Sequence, residues 1–481
     1  MDISKEKQTA LDWIETHQDE FIRLSDLIWQ FAEPALREYR SSRAHIEFLK
    51  KYGFDVHAGI AGLPTAYMAT YGSGKPIIGF YTEYDATPGN SQKPLPYRAP
   101  INPLASGFDD NHNGLGVGSL VAAAAMKYVM ETFHLPGTLR IFGTPAEKIS
   151  VGKVYQARAG YYKDLDAVLG WHPRAGNSVI WDEGPHCGQE MIFEFQGVAV
   201  YGHRPWAGIS ALDGVVLMNV LVNYMKEHIP LEYKVTITEY INNGGQSSSN
   251  LSEYAQVWYT FRAQNRKGIE DVASMIQRCA EAAALATGCK QKHRVVGATR
   301  PWLPNHVMAE LVYRNLEIVG PPNFSEEDKE FARKIQTNIG LEPMQEPYDL
   351  RLVPPKNEVK RNYSWVDDAT EFCWSAPMGW LAVTYMFDMQ DDLHKPSWAT
   401  SALAKTNVAH QSFLTASKVL TLSAIDLITN PNALEKAQVE FRTRAEANPI
   451  PIAIPNDVQP PIEAIYSFPP YYPEDWTIHT E

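Results

Sequence analysis

Short apolar runs that break off at polar, chemistry-bearing residues restrict the fold of this chain more than any other feature. Residues 67–70 and 77–81 read as strands joined by the turn residues Gly72-Ser73-Gly74-Lys75-Pro76. Residues 138–142 read as a strand ending in the turn Gly143-Thr144-Pro145, with Glu147 just beyond, and residues 167–169 form a buried strand just before His172. Between them, residues 115–133 are rich in Gly, Val and Ala and suit a closely packed helix. Strands alternating with helices, with polar residues at the strand ends, predict an α/β fold with a mostly parallel sheet and its site at the carboxyl edge. The GSGK turn is not a phosphate loop, because it lacks the remote first glycine and the terminal hydroxyl residue.

A chain of 481 residues exceeds the size at which one core keeps growing, so two domains are expected. The composition changes near residue 190: residues 191–200, 231–238 and 255–262 read as strands, and residues 210–226 and 271–286 as helices. This predicts a smaller α+β domain at residues 191–301, inserted into a larger domain of residues 1–190 and 302–481. The net charge of −13, without a long basic run, argues against nucleic acid as a partner. Four widely spaced cysteines, a charged N-terminal segment and no run of about 20 apolar residues favour a cytoplasmic protein without a membrane partner.

Asp110 and His112 in DDNHNG, His172 in WHP and His394 in DDLHKP are oxygen and nitrogen donors that would build a divalent metal centre if the fold converges them. Each has a plain structural alternative, a capping aspartate or a buried hydrogen-bonded histidine. Glu147 is placed to take a proton from bound water and return it to a leaving nitrogen. Lys148 beside it cannot ligate a cation. Pointing inward, it would pair with Asp110, occupy a lost cation's position or hold a substrate carboxylate. Tyr201 and His203, on a turn of the smaller domain, would polarise an oxygen from the lid, and Arg204 would meet a substrate carboxylate. Trp171, Tyr201 and Trp206 would stack on an aromatic substrate.

In order along the chain, TEYDA at 82–86, WHP at 171–173, FQG at 195–197, SALD at 210–213, Gly244-Gly245, LPN at 303–305, DLHK at 392–395 and IPNDVQP at 454–460 resemble the M20 metallopeptidase/amidohydrolase superfamily, closest to its aminobenzoyl-glutamate hydrolase branch. The resemblance implies a metal-bound water attacking an amide in a catalytic domain, residues 1–190 and 302–481, covered by a lid or dimerisation domain, residues 191–301. It puts Asp110 at a position usually held by cysteine, His112 at the ligand histidine, Glu147 at the general base and Lys148 at a glutamate that is usually a ligand. Tyr201 falls at the lid histidine, with His203 two residues away, and Asn250 and Arg262 resemble polar lid residues that meet substrate or a partner chain. The expected function is a metal-dependent amidohydrolase cleaving an amide or related C–N bond in a small N-acyl compound, aromatic or not, using one or two Mn or Zn ions and working as a homodimer or beside a related second subunit. A divergent ring-opening enzyme, lyase or isomerase, or a silent partner subunit, are the alternatives.

Overall fold

The computed structural model describes residues 3–357, 364–387 and 396–464. Eleven strands among them form two sheets. The larger comprises β1 (Asp55–Ala58), β2 (Tyr67–Ser73), β3 (Ile77–Thr82), β4 (Gly137–Gly143), β5 (Ala167–Arg174), β6 (Ser178–Val179) and β11 (Met378–Thr384), in the order β1-β2-β4-β3-β5-β11-β6. Its centre is parallel: β3 pairs with both β4 and β5, and β5 with β11, while β1, β2 and β6 are antiparallel additions. The smaller sheet comprises β7 (Cys187–Gln196), β8 (Thr236–Asn243), β9 (Tyr254–Ala263) and β10 (Lys290–Thr299), all antiparallel in the order β10-β7-β9-β8.

Burial follows from this arrangement. Strands β3 and β5 are buried almost without interruption, as strands covered on both faces must be. Helices Lys5–Phe31, His112–Phe133, His306–Val319 and Asn407–Thr429 share one core with them. Helix Asn407–Thr429 is long and apolar enough to cross a membrane, a feature missed by the expectation that no such run exists; 83% of its apolar window is buried in this core. Helices Ala211–Met225 and Arg266–Thr287 pack on the smaller sheet around a separate core.

Three local expectations are corrected. Residues 231–238 are not one strand: Lys234 adopts a left-handed φ of 47°, which ends a 3-10 turn at Leu231–Tyr233 before β8 begins at Thr236. The sequence reading omitted β10, because its charged start hides the alternation. His172 lies inside β5 rather than after it.

Helix His112–Phe133 approaches β3 through glycines. A Cβ on Gly116 would lie 2.5 Å from the Glu83 carbonyl oxygen and 2.6 Å from His45 Cε1. The first neighbour is backbone and cannot rotate away, so Gly116→Ala should destabilise the protein by about 1–3 kcal/mol in denaturant unfolding. Gly176→Ala, which meets nothing within 4 Å, is the control and should be close to neutral. Equal midpoints for the two variants would remove the close-approach argument.

Glu190 on β7 is buried, and its Oε2 accepts hydrogen bonds from Trp258 Nε1 and Thr260 Oγ1, both at 2.6 Å. Burial pushes its carboxyl up to about 7, against the two hydrogen bonds and the Arg262 charge. Because the folded value exceeds the unfolded one, this carboxyl's contribution to stability is present at acid pH and is lost as pH rises towards and through about 7. Glu190→Gln keeps an acceptor oxygen and removes the ionisation. The variant should therefore gain on the wild type between pH 5 and pH 8, by up to about 3 kcal/mol. A pH-independent difference between the two would contradict an ionising Glu190.

Candidate metal centre

The parallel centre of the large sheet places three strand ends side by side, and the site is built on them. Glu83 and Asp85 follow β3, Glu147 and Lys148 follow β4, and His172 lies near the end of β5. His112 starts its helix opposite them. Left-handed backbone at Asn111, Ala146 and Ser150 brackets these residues, a conformation that costs energy in non-glycine residues and is held by the surrounding packing.

Hydrogen bonds orient both histidines. Asp85 Oδ1 lies 2.9 Å from His112 Nδ1, and the Pro173 carbonyl oxygen lies 3.0 Å from His172 Nδ1. These bonds through Nδ1 aim both Nε2 atoms into the site, the orientation ligand histidines require. No hydrogen bond reaches His112 Nε2, although Glu83 Oε2 and Asp110 Oδ2 each lie 3.1 Å away and Glu147 Oε2 lies 3.7 Å away. An imidazole nitrogen facing three carboxylates without a hydrogen bond of its own could hold a cation. Glu83, His112 and His172, all buried, offer ligand atoms within 4.8 Å of one another, as do Asp85, His112 and Glu147. These residues fit a divalent ion.

Electrostatics give the same picture. Burial pushes Glu83 and Glu147 up to about 8, against the attraction of Lys153 and Lys148 respectively. Burial holds His172 well below its ordinary value, so its imidazole is neutral. Burial opposes a proton on His112, but Asp110 and Glu83 outweigh it and raise the imidazole well above its ordinary value. So many carboxylates in one buried space require compensating positive charge, which a metal would supply while displacing the His112 proton.

The turn carrying Glu147 is held from two sides. The Ala146 N–H donates to Glu38 Oε1 at 2.8 Å, and the Lys148 N–H donates to Asp85 Oδ2 at 2.9 Å. Lys148 points inward, with its ammonium on Asp110. Beside Lys148 opens a cavity of about 910 Å³ between the smaller sheet and loops of the larger domain, lined by Pro34, Leu104, Lys148, Ile149, Tyr240 and Trp258 among others.

Of the sequence-predicted residues, Asp110, His112, Glu147, Lys148 and His172 come together. His394 lies outside the described residues. Tyr201, Arg204 and Asn250 gather instead around a separate pocket on the smaller domain, with Tyr201 stacked on His203. None of these four, nor Arg262, lines the large cavity. Arg262 stands on β9, where its charge acts on Glu190. The stacking expectation for Trp171, Tyr201 and Trp206 is corrected: Trp171 is sealed in the core with its Nε1 on the Leu115 carbonyl oxygen, while Tyr201 and Trp206 project into solvent. Tyr240 and Trp258 are the lid aromatics that face the cavity.

Sequence reasoning missed Glu83, Asp85, Lys153, Asp367 and Asp368 as site residues. The acids of TEYDA, placed directly after an apolar strand and two residues apart, carried a readable signal. Asp367-Asp368 and Lys153 carried none, because only the fold brings them in. Lys153 Nζ lies 2.7 Å from Glu83 Oε1 and is bonded to Asp368, and His172 Nε2 lies 3.9 Å from Asp367 Oδ2.

No family model matches the chain. It is similar to a subunit of the p-aminobenzoyl-glutamate hydrolase of Escherichia coli, 28% identical over 93% of this chain and 97% of that protein. It is also similar to the Xaa-Arg dipeptidase of Mus musculus, 24% identical over 92% of this chain and 93% of the relative. Among solved structures, the aminobenzoyl-glutamate utilization protein of Klebsiella pneumoniae shares its fold, with a TM-score of 0.53 at 13% identity over 84% of this chain and 97% of that one. Full-length likeness, the two-sheet fold and the buried histidine–carboxylate cluster together make this chain similar to members of the M20 metallopeptidase/amidohydrolase superfamily.

Proposed function

We propose that the protein is a metal-dependent amidohydrolase that cleaves an amide or related C–N bond in a small N-acyl compound. The observation that carries this reading is the convergence of His112 and His172, each pinned through Nδ1, on Glu83, with Glu147 3.7 Å from the free His112 nitrogen. Two imidazoles and carboxylate oxygens suit Mn or Zn. A divalent ion held there would polarise the scissile carbonyl and ease deprotonation of the attacking water. Glu147 then accepts the water proton and passes it to the departing nitrogen, a double duty suited to a carboxyl whose burial raises its proton affinity. Asp85 keeps His112 in one tautomer and fixes the turn that aims Glu147. Tyr240 and Trp258 give the cavity an aromatic wall, which supports a flat acyl group such as a benzoyl amide, in keeping with the aminobenzoyl-glutamate named for two of the similar proteins.

The test is turnover of N-benzoyl and N-aminobenzoyl amino acids by purified protein supplied with Mn or Zn. Dialysis against a chelator should abolish hydrolysis and the ion should restore it. Glu147→Gln should lower kcat by about 10²-fold or more while retaining bound metal. Full activity after exhaustive chelation, or a wild-type rate in the Glu147 variant, would overturn the mechanism.

We also propose a homodimer joined through the smaller domain. Val216, Val220 and Tyr224 form an exposed stripe at four-residue spacing along helix Ala211–Met225, and β8 leaves an open sheet edge. Size-exclusion chromatography with light scattering should give twice the 54.0 kDa chain mass. A clean monomer at micromolar concentration would rule the dimer out.

A further inference from the structure

We infer that Lys148 is a tethered cation occupying one of the cation positions of this buried acidic cavity, so that the centre holds a single divalent ion, at Glu83, His112 and His172. The inference rests on the reading of the cavity as a metal centre and specifies its stoichiometry. The Lys148 ammonium is bonded to Asp110 Oδ2, and it lies 3.6 Å from Asp109 Oδ1 and 4.0 Å from Glu147 Oε2. Three carboxylates around one ammonium are the surroundings that a second metal ion would need. The ammonium thus stands where these three carboxylates converge, so the position is filled.

The other acidic cluster is filled in the same way. Glu83, Asp367 and Asp368 have the spacing of a cation site, yet the Lys153 ammonium is already there, bonded to Asp368 and 2.7 Å from Glu83 Oε1. In the group Asp85, His112 and Glu147, both Asp85 oxygens already accept hydrogen bonds, from His112 Nδ1 and the Lys148 N–H, which leaves one position with ligand atoms and no cation among the described residues. Glu83, His112 and His172 converge there, and no hydrogen bond reaches the fully buried His112 Nε2 or Glu83 Oε2. Asp110 Oδ2 touches both sides, 3.1 Å from His112 Nε2 and bonded to Lys148. It thus links the ion to the ammonium, where in a two-ion centre a carboxylate would bridge two metals. A second divalent ion against the ammonium would meet like charge at close range in a poorly screened interior. The placement of Lys148 is not adventitious: Asp85, which pins His112, also accepts the Lys148 N–H, so one carboxylate sets both the metal ligand and the tethered cation.

The experiment is metal stoichiometry, independent of turnover. Chelator-stripped full-length protein is titrated with Zn or Mn by isothermal calorimetry, and bound metal is counted by plasma mass spectrometry after gel filtration. Wild type should bind one equivalent per chain and His112→Ala none. Lys148→Glu should bind two. Lys148→Met, which removes the charge without adding a ligand, should stay at one equivalent but bind it at least tenfold more tightly, and it guards against a Glu variant that fails to fold. Two equivalents in the wild type, or unchanged number and affinity in both Lys148 variants, would overturn the tethered-cation assignment while leaving the metal centre standing. No binding by the wild type would instead remove the metal centre itself, and this inference with it.

Discussion

The Asp85 carboxylate is the contact on which the site depends. One oxygen accepts the His112 Nδ1 proton and the other accepts the Lys148 backbone N–H, so a single side chain at the end of β3 ties the start of a core helix to the turn after β4. Helix start, turn and strand end become one rigid unit. The cost is a buried charge, offset here because each oxygen has a partner and His112 and Lys148 lie beside it; burial is outweighed and the carboxyl stays below its ordinary value.

Around that clamp the protein concentrates negative charge where solvation is poor. Glu83, Glu147 and Asp368 are pushed up by burial, so this cluster needs compensating charge, and Lys148 and Lys153 supply part of it from within the chain. The remaining deficit is what makes the His112–His172–Glu83 corner attractive to a cation. Catalytic polarity is then a property of the charge balance rather than of any one ligand. The cavity next to it is walled largely by apolar and aromatic groups from loops of the larger domain and from β8 and β9, so a bound small molecule would displace water and strengthen these electrostatic interactions.

Much of the site was legible in the chain, for a reason that lies in the fold class. In a parallel sheet, residues that follow the strands share one edge, so Glu147 after 138–142 and His172 beside 167–169 could be placed together from spacing alone. His112 and Asp110 followed from their position before a helix. Tyr201, His203, Arg204 and Asn250 carried donor chemistry but not position; on the folded chain Tyr201, Arg204 and Asn250 sit around a pocket of their own, with His203 stacked on Tyr201. Trp171 shows the same limit: an aromatic next to a site residue on a buried strand points to the opposite face, and here that face is core.

Alternating apolar runs and helices determined the α/β class, the inserted smaller domain and the carboxyl edge as the place of chemistry, because strand and helix periodicities are local properties of sequence. Only the tertiary structure decided the cast of the site. Lys153 comes from a short helix after β4 and Asp367 and Asp368 from a loop more than 200 residues away, and no local pattern encodes that meeting. It likewise decided the role of Lys148. Sequence left it open between Asp110, substrate and a lost cation's place, and the left-handed turn at Ala146 with the Asp85 clamp brought its ammonium onto Asp110, since side-chain direction follows from backbone packed against distant elements.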